Sequence, residues 1–202
     1  MTRTIALTGS ASGIGLALRD RLERTANRVI GVDIAGAEVT ADLSSPDGRQ
    51  TAIDGVLRAV SSCCGPMPAH ATRPSSRPSQ ARSTPSMAAE LNGAAVYAGA
   101  KLALVRWVRR QAIALEWGGS GIRLNAVAPG PTLTPLLQAG LDHPTMGAAI
   151  RGLPLPLSGG FAGPDTVAAA IAFLLGPEAS FCCGSVLFVD GGTDALVRPN
   201  AV

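Results

Sequence analysis

This chain of 202 residues holds one tyrosine and one lysine. Aromatic residues make up 3% of it, which argues against a base-stacking platform for nucleic acid. Two histidines, neither at ligand spacing from the cysteines, argue against a zinc site, so no metal is expected. The four cysteines stand as two adjacent pairs, Cys63-Cys64 and Cys182-Cys183, which fits a reducing, cytoplasmic setting and an incidental role. No apolar run approaches the roughly 20 residues that span a bilayer, and the opening run is too short for a signal peptide. Net charge is only +3 with the arginines scattered, so neither nucleic acid nor membrane is expected as a partner. Arg106, Arg109 and Arg110 cluster on one helix, where a solvated or subunit-facing surface is expected.

Residues 61–86 lack far more. They contain no Val, Ile, Leu, Phe, Tyr or Trp and no acidic residue, but seven serines, five prolines and three arginines. A buried strand of a parallel sheet reads as a continuous apolar run, so none is expected here. The composition predicts a disordered or surface segment inside an otherwise single domain of residues 1–202.

What is present begins with Thr4-Ile5-Ala6-Leu7, then Thr8-Gly9-Ser10-Ala11-Ser12-Gly13-Ile14-Gly15, then a helical run to Arg24. An apolar strand entering a glycine-rich turn and an amphipathic helix is the layout of a dinucleotide-binding unit. Gly9 suits the tight turn, while Gly13 and Gly15 let backbone amides and the helix N-terminus approach a pyrophosphate. A second strand, 28–33, ends on Asp33. A carboxylate there accepts hydrogen bonds from a ribose 2′-hydroxyl and repels a 2′-phosphate, which favours NAD over NADP.

The lone tyrosine and the lone lysine stand four residues apart, Tyr97 and Lys101, so a helix carries them on one face a turn apart. An ammonium beside a phenol favours the phenolate, which suits proton exchange with a carbonyl oxygen. The pattern alternates further: a short strand at 39–43, a helix at 46–60 and a long helix at 97–117 carrying Leu104, Val108, Ala112 and Leu115 inward. A strand at 122–128, a helix at 165–175 and a last strand at 185–189 complete it. Such alternation predicts a doubly wound α/β fold with a parallel sheet.

These motifs resemble the short-chain dehydrogenase/reductase family, through Thr8, Gly9, Gly13 and Gly15, the Tyr97/Lys101 pair, Asp42-Leu43, Asn125 to Gly130, Thr134 and Asp190-Gly191-Gly192. Within it, the stretches 135–141 and 190–199 most resemble the bacterial 3α-hydroxysteroid dehydrogenase/carbonyl reductase group. The resemblance covers residues 1–60 and 88–202. It implies a Rossmann-like sheet of order 3-2-1-4-5-6-7, an NAD(H)-dependent oxidoreductase interconverting a hydroxyl and a carbonyl on a small apolar substrate, and a homo-oligomer built along the Tyr97/Lys101 helix. It places catalysis on Tyr97 and Lys101. Cofactor binding falls to Thr8, Gly9, Ser12, Gly13, Ile14, Gly15, Asp33, Asp42, Leu43, Lys101, Pro129, Gly130, Thr132 and Thr134.

The resemblance also requires strands four and five where residues 61–86 cannot supply them, together with a strand-end serine. Their loss leaves strand one without a neighbour on that side. Ser83, Thr84 and Ser86 precede Tyr97 at a suitable separation but have no apolar strand to hold them. An internal deletion or a compensated pair of frameshifts fits the segment, and impaired activity is the expectation. A non-catalytic dinucleotide-binding or dimer-forming relative, or a decayed gene product, are the alternatives.

Overall fold

The computed structural model describes residues 3–61, 93–144, 146–157 and 160–200. They fall into two compact units. The first takes in Met1–Pro68, Val127–Ala179 and Leu187–Val202, and the second Ala69–Ala126 and Ser180–Val186.

In the first unit β1 (Thr4–Thr8) enters a glycine turn and α1 (Gly13–Arg24), and β2 (Arg28–Asp33) returns parallel to β1 in the register Thr4 to Arg28 through Thr8 to Val32. The apolar pair Leu18 and Leu22, a helical turn apart, is buried, and α1 stops where Thr25 and Asn27 donate side-chain bonds to the Leu22 carbonyl. A short β3 (Val39–Thr40) pairs parallel with β2, so the order is β1-β2-β3. The third strand expected at 39–43 is therefore only two residues long: beyond Thr40 the chain turns, with Ser44 N–H donating to the Asp42 carboxylate.

Alternate β2 residues face opposite layers, as a strand buried on both sides requires. Ile30 and Val32 pack with Val39, Ala41 and Ala52, under α2 (Pro46–Ser61). Val29 packs with Leu18, Leu22 and Ala168, under α1 and α6 (Pro164–Leu175). Helices thus cover both faces of a parallel sheet, the Rossmann-like arrangement. Among the described residues β1 pairs with β2 alone, and the remaining strands, β4 (Ala126–Pro129) and β5 (Val186–Val189), form a separate two-stranded sheet. Among the described residues no strand joins the two sheets. Ala126 N–H donates to the Ser185 carbonyl and Gly130 N–H to that of Val189, advancing together, so this pair is parallel too. The segment 61–86 lies, but for Ser61, outside the described residues.

The stretch 135–157 folds as α4 (Pro135–Asp142) and α5 (Met146–Arg151), which meet at Gly140, where a Cβ would stand 2.8 Å from Ile150 Cδ1. A short α7 (Thr193–Val197) follows β5.

In the second unit α3 runs Gly93–Gln111. The helix expected to reach residue 117 ends earlier: Ala112 to Trp117 continue in tighter turns, followed by a 3-10 turn at Gly118–Ser120. Of its expected inward stripe, Val108 and Ala112 are buried, but Leu104 is 52% and Leu115 81% exposed. Leu115 lies beyond the helix end, so its periodicity no longer applies, and Leu104 is left exposed among the described residues. Cys182 and Cys183 are free thiols, with Cys183 Sγ donating to the Ala112 carbonyl at 3.3 Å. No described helix is long and apolar enough to cross a membrane.

Candidate active site and dinucleotide cradle

The glycine turn is shaped by close approach. Gly9 (φ +68°) and Gly13 (φ +52°) occupy the left-handed region that favours glycine. A Cβ on Gly15 would lie 1.8 Å from the Gly9 carbonyl oxygen, so only glycine lets α1 start this near the end of β1. Gly9 N–H donates to the Val32 carbonyl at 2.9 Å, tying the turn to β2. Ser12 stands at the N-cap of α1 without a side-chain capping bond. The first-turn N–H groups and the positive end of the helix are therefore not capped by its hydroxyl, as an anion site requires.

Asp33 closes the turn from the far side. Its Oδ2 accepts the Ala11 N–H at 2.9 Å and its Oδ1 the Ile34 N–H at 2.7 Å. Both oxygens keep lone pairs, so the carboxylate is oriented and still able to accept from hydroxyls. The sequence reasoning missed the element beneath it. Ser10 is fully buried, its Oγ has no hydrogen-bond partner, and a Cβ on Gly31 would stand 2.6 Å from that atom. The available signal was a glycine inside the apolar strand Arg28–Asp33, which marks close backbone approach.

Thr134 reaches the same turn: its Cγ2 would be 3.2 Å from a Cβ on Gly13. As N-cap of α4 it accepts the Leu137 N–H through Oγ1 at 3.3 Å, which leaves its hydroxyl proton available. Thr132 differs, being 6% exposed with its hydroxyl donating to the Gly130 carbonyl. Pro129 is exposed at the end of β4, and Gly130 passes so near β5 that a Cβ would meet Asp190 Cα at 2.7 Å. Asp42 and Leu43 are exposed after β3. Bonds from the Ser44 hydroxyl and then its backbone N–H hold the Asp42 carboxyl below its usual range. Thr8 and Ile14 complete the set, at the end of β1 and in the first turn of α1. All these cradle residues lie in the first unit.

Tyr97 and Lys101 lie in the second, on α3. Lys101 Nζ is 5.3 Å from the Tyr97 ring centroid, and the phenol is 66% exposed. The helix spacing alone brings the pair together. Ser83, Thr84 and Ser86 lie outside the described residues.

A family model described as Enoyl-(Acyl carrier protein) reductase matches residues 44–194. The 3-alpha-hydroxysteroid dehydrogenase/carbonyl reductase of Comamonas testosteroni is 35% identical over 255 aligned positions, covering 97% of this chain and 98% of its own. At least 53 of those positions (255 less the 202 residues here) hold residues of the relative without a counterpart in this chain. The 3-alpha-hydroxysteroid dehydrogenase of Pseudomonas sp. B-0831, solved as a complex with NADH, shows 35% identity and a TM-score of 0.78 over 98% of this chain and 100% of that one. The ligand-free aldohexose dehydrogenase of Thermoplasma acidophilum, at 20% identity and a TM-score of 0.70 over 100% of this chain and 96% of that one, shares the fold. By its matched residues and its end-to-end likeness to a curated relative, the chain belongs to the short-chain dehydrogenase/reductase family of oxidoreductases.

Proposed function

We propose that the chain is an NAD(H)-dependent oxidoreductase interconverting a hydroxyl and a carbonyl on an apolar substrate, a steroid or one of similar shape, with impaired turnover. The observation that carries the cofactor reading is Asp33, held by the Ala11 N–H at the edge of the glycine turn. The residues present fit a dinucleotide. Gly9 leaves open space where a Cβ would project, the α1 N-terminus lacks a side-chain cap, and an oriented carboxylate awaits ribose hydroxyls. The Pseudomonas relative solved with NADH and the Comamonas relative named for a steroid support this reading and its substrate class.

Bound at this cradle, the nicotinamide supplies the hydride acceptor or donor. The chain's own residues do the rest. Gly13, Ile14 and Gly15 would offer N–H groups to the pyrophosphate, Asp33 would accept from the adenosine ribose and disfavour a 2′-phosphate, and Asp42 and Leu43 would border the adenine. Pro129, Gly130 and Thr134 would hold the nicotinamide side, while Thr132 stiffens that loop through Gly130. Tyr97 takes the proton from a substrate hydroxyl in oxidation and returns it to the carbonyl oxygen in reduction. Lys101 would hold the nicotinamide ribose. Leu136, Leu137, Leu141, Met146 and Ile150 on α4 and α5 offer the apolar contacts expected of a substrate loop.

Impairment follows from the missing donor. The resemblance calls for a serine on a strand beside Tyr97, and the sequence of residues 61–86 contains no apolar run to supply one. Losing one positioned donor to a developing oxyanion costs on the order of 10²–10³ in rate. A dinucleotide binder without turnover is the second reading, favoured by every proposed cofactor-binding residue except Lys101 lying in a unit with two cores of its own. The proposal includes a homo-oligomer along α3, whose Val96, Leu102 and Leu104 are exposed beside Arg106, Arg109 and Arg110. Fluorescence titration with NADH tests the cofactor reading: saturable binding is expected, and its absence in folded protein would refute both readings.

A further inference from the structure

The turn after β5 is tied to the stretch that leaves α5. Thr193 Oγ1 lies 2.7 Å from the Pro154 carbonyl oxygen and 3.0 Å from that of Asp190. A hydroxyl has one proton to donate, so a bond across to residues 153–157 can be exchanged for one within the turn. Beside it, Leu157 N–H donates to the Gly191 carbonyl at 2.9 Å. The turn that supplies these partners is itself braced. The Asp190 carboxylate accepts the Gly192 N–H at 3.0 Å through Oδ1 and the Asp194 N–H at 2.7 Å through Oδ2. All of these residues belong to the first unit.

What this latch holds is apolar. Leu155 and Leu157 line a cavity of about 420 Å³ whose other walls include Gly130, Phe188 and Val189. Leu155 is half-buried and Leu157 exposed, so both can still gain burial from a ligand seated there. A volume of this order takes a small apolar molecule or one end of a larger one. Gly130 is a residue that the proposed function sets on the nicotinamide side. Side chains on a loose segment must be ordered when a ligand arrives, which subtracts from affinity, whereas a segment held in place loses less. We propose that Thr193 is a positioning residue for the apolar substrate: its bond to the Pro154 carbonyl keeps Leu155 and Leu157 at the cavity beside Gly130. Thr193 acts through residues 153–157 and touches neither substrate nor dinucleotide. The Asp190 carbonyl lets the latch open at small cost, because the hydroxyl keeps an acceptor when the segment lifts. The inference rests on the proposed function for the identity of the ligand.

Hydrogen exchange at the Leu157 amide and ligand titration of the same full-length variants test it. Thr193→Val removes the donor at nearly constant size. Its Leu157 amide should exchange about 2- to 10-fold faster, the worth of one hydrogen bond. Androstanedione, a ketosteroid, should bind the NADH complex of this variant more weakly by a similar factor, while the NADH dissociation constant stays unchanged. Thr193→Ser keeps the hydroxyl and should restore both the exchange rate and the steroid affinity. An unchanged Leu157 exchange rate in folded Thr193→Val protein would overturn the latch. Faster exchange with unchanged steroid affinity, or an equal loss of NADH affinity, would overturn the positioning role and leave Thr193 a structural contact. Failure of the unmodified chain to bind NADH or the steroid, with Leu157 exchange still responding to Thr193, would refute the proposed function and, with it, the ligand assigned to this cavity.

Discussion

Lys101 holds its ammonium nitrogen 5.3 Å from the centroid of the Tyr97 ring, one helical turn along α3. The only lysine and the only tyrosine of the chain thus meet through backbone geometry alone. A cation over a ring edge or face is worth roughly 0.5–1 kcal/mol at an exposed site, too little to be a structural reason for the pair. Under the proposed function, chemistry on a carbonyl is the better reason. Tyr97→Phe should therefore abolish whatever turnover the chain has while leaving the NADH dissociation constant nearly unchanged. Steady-state assay alongside fluorescence titration separates the two quantities.

Under the proposed function, Asp33 sets a preference for NAD(H). A 2′-phosphate would bring like charge against a carboxylate already oriented by the Ala11 N–H. NADPH should bind at least about tenfold more weakly than NADH, a free-energy gap of about 1.4 kcal/mol or more. Asp33→Ser should narrow the gap. Equal affinities in the unmodified chain, read by calorimetry, would remove the charge argument.

The turn beneath the cradle predicts opposite responses to two small changes. Ser10 is buried with an unpartnered hydroxyl, and such a group costs about 1–3 kcal/mol. Ser10→Ala should raise the thermal midpoint by a few degrees. Gly15→Ala forces a Cβ to within 1.8 Å of the Gly9 carbonyl and should cost about 1–3 kcal/mol or more as α1 shifts from the turn. Differential scanning calorimetry of both variants reads the sign directly.

Much of this turn was legible in the sequence because its determinants are local. A glycine at a positive φ, an apolar strand before it and a carboxylate at the next strand end are written within residues 4–33. The contact between Ser10 and Gly31 was not, since it depends on how tightly β2 passes the turn, although a glycine in a strand hinted at it. Leu115 failed as a core residue because helical periodicity was carried past Gln111, where the chain tightens into shorter turns. Leu104 failed for another reason: amphipathicity predicts a face, not what covers it. The expected loss of central strands rests on the composition of residues 61–86, which lie, but for Ser61, outside the described residues.

Asp42 gives a pH signature. The Ser44 hydroxyl and N–H hold its carboxyl below the ordinary value of 3.8. A group depressed in the folded state contributes stability that is fully present above its unfolded pKa and is lost as pH falls through the folded one. Asp42→Asn should therefore remove part of the acid-side loss of stability below about pH 4 and leave the neutral-pH dependence unchanged. Urea midpoints measured from pH 2.5 to 7 would show it.

The central claim is that this chain keeps the dinucleotide cradle and the Tyr97/Lys101 pair of its family while residues 61–86 disable turnover. The most direct measurement is the steady-state rate of NADH-dependent reduction of a ketosteroid by two proteins: the unmodified chain, and one in which 61–86 is replaced by an apolar strand, a helix and a strand-end serine. The account predicts a rate in the unmodified chain on the order of 10²–10³ below that of the restored one, with the restored rate lost on Tyr97→Phe. Turnover by the unmodified chain at the roughly 1–10³ per second ordinary for enzymes would contradict it.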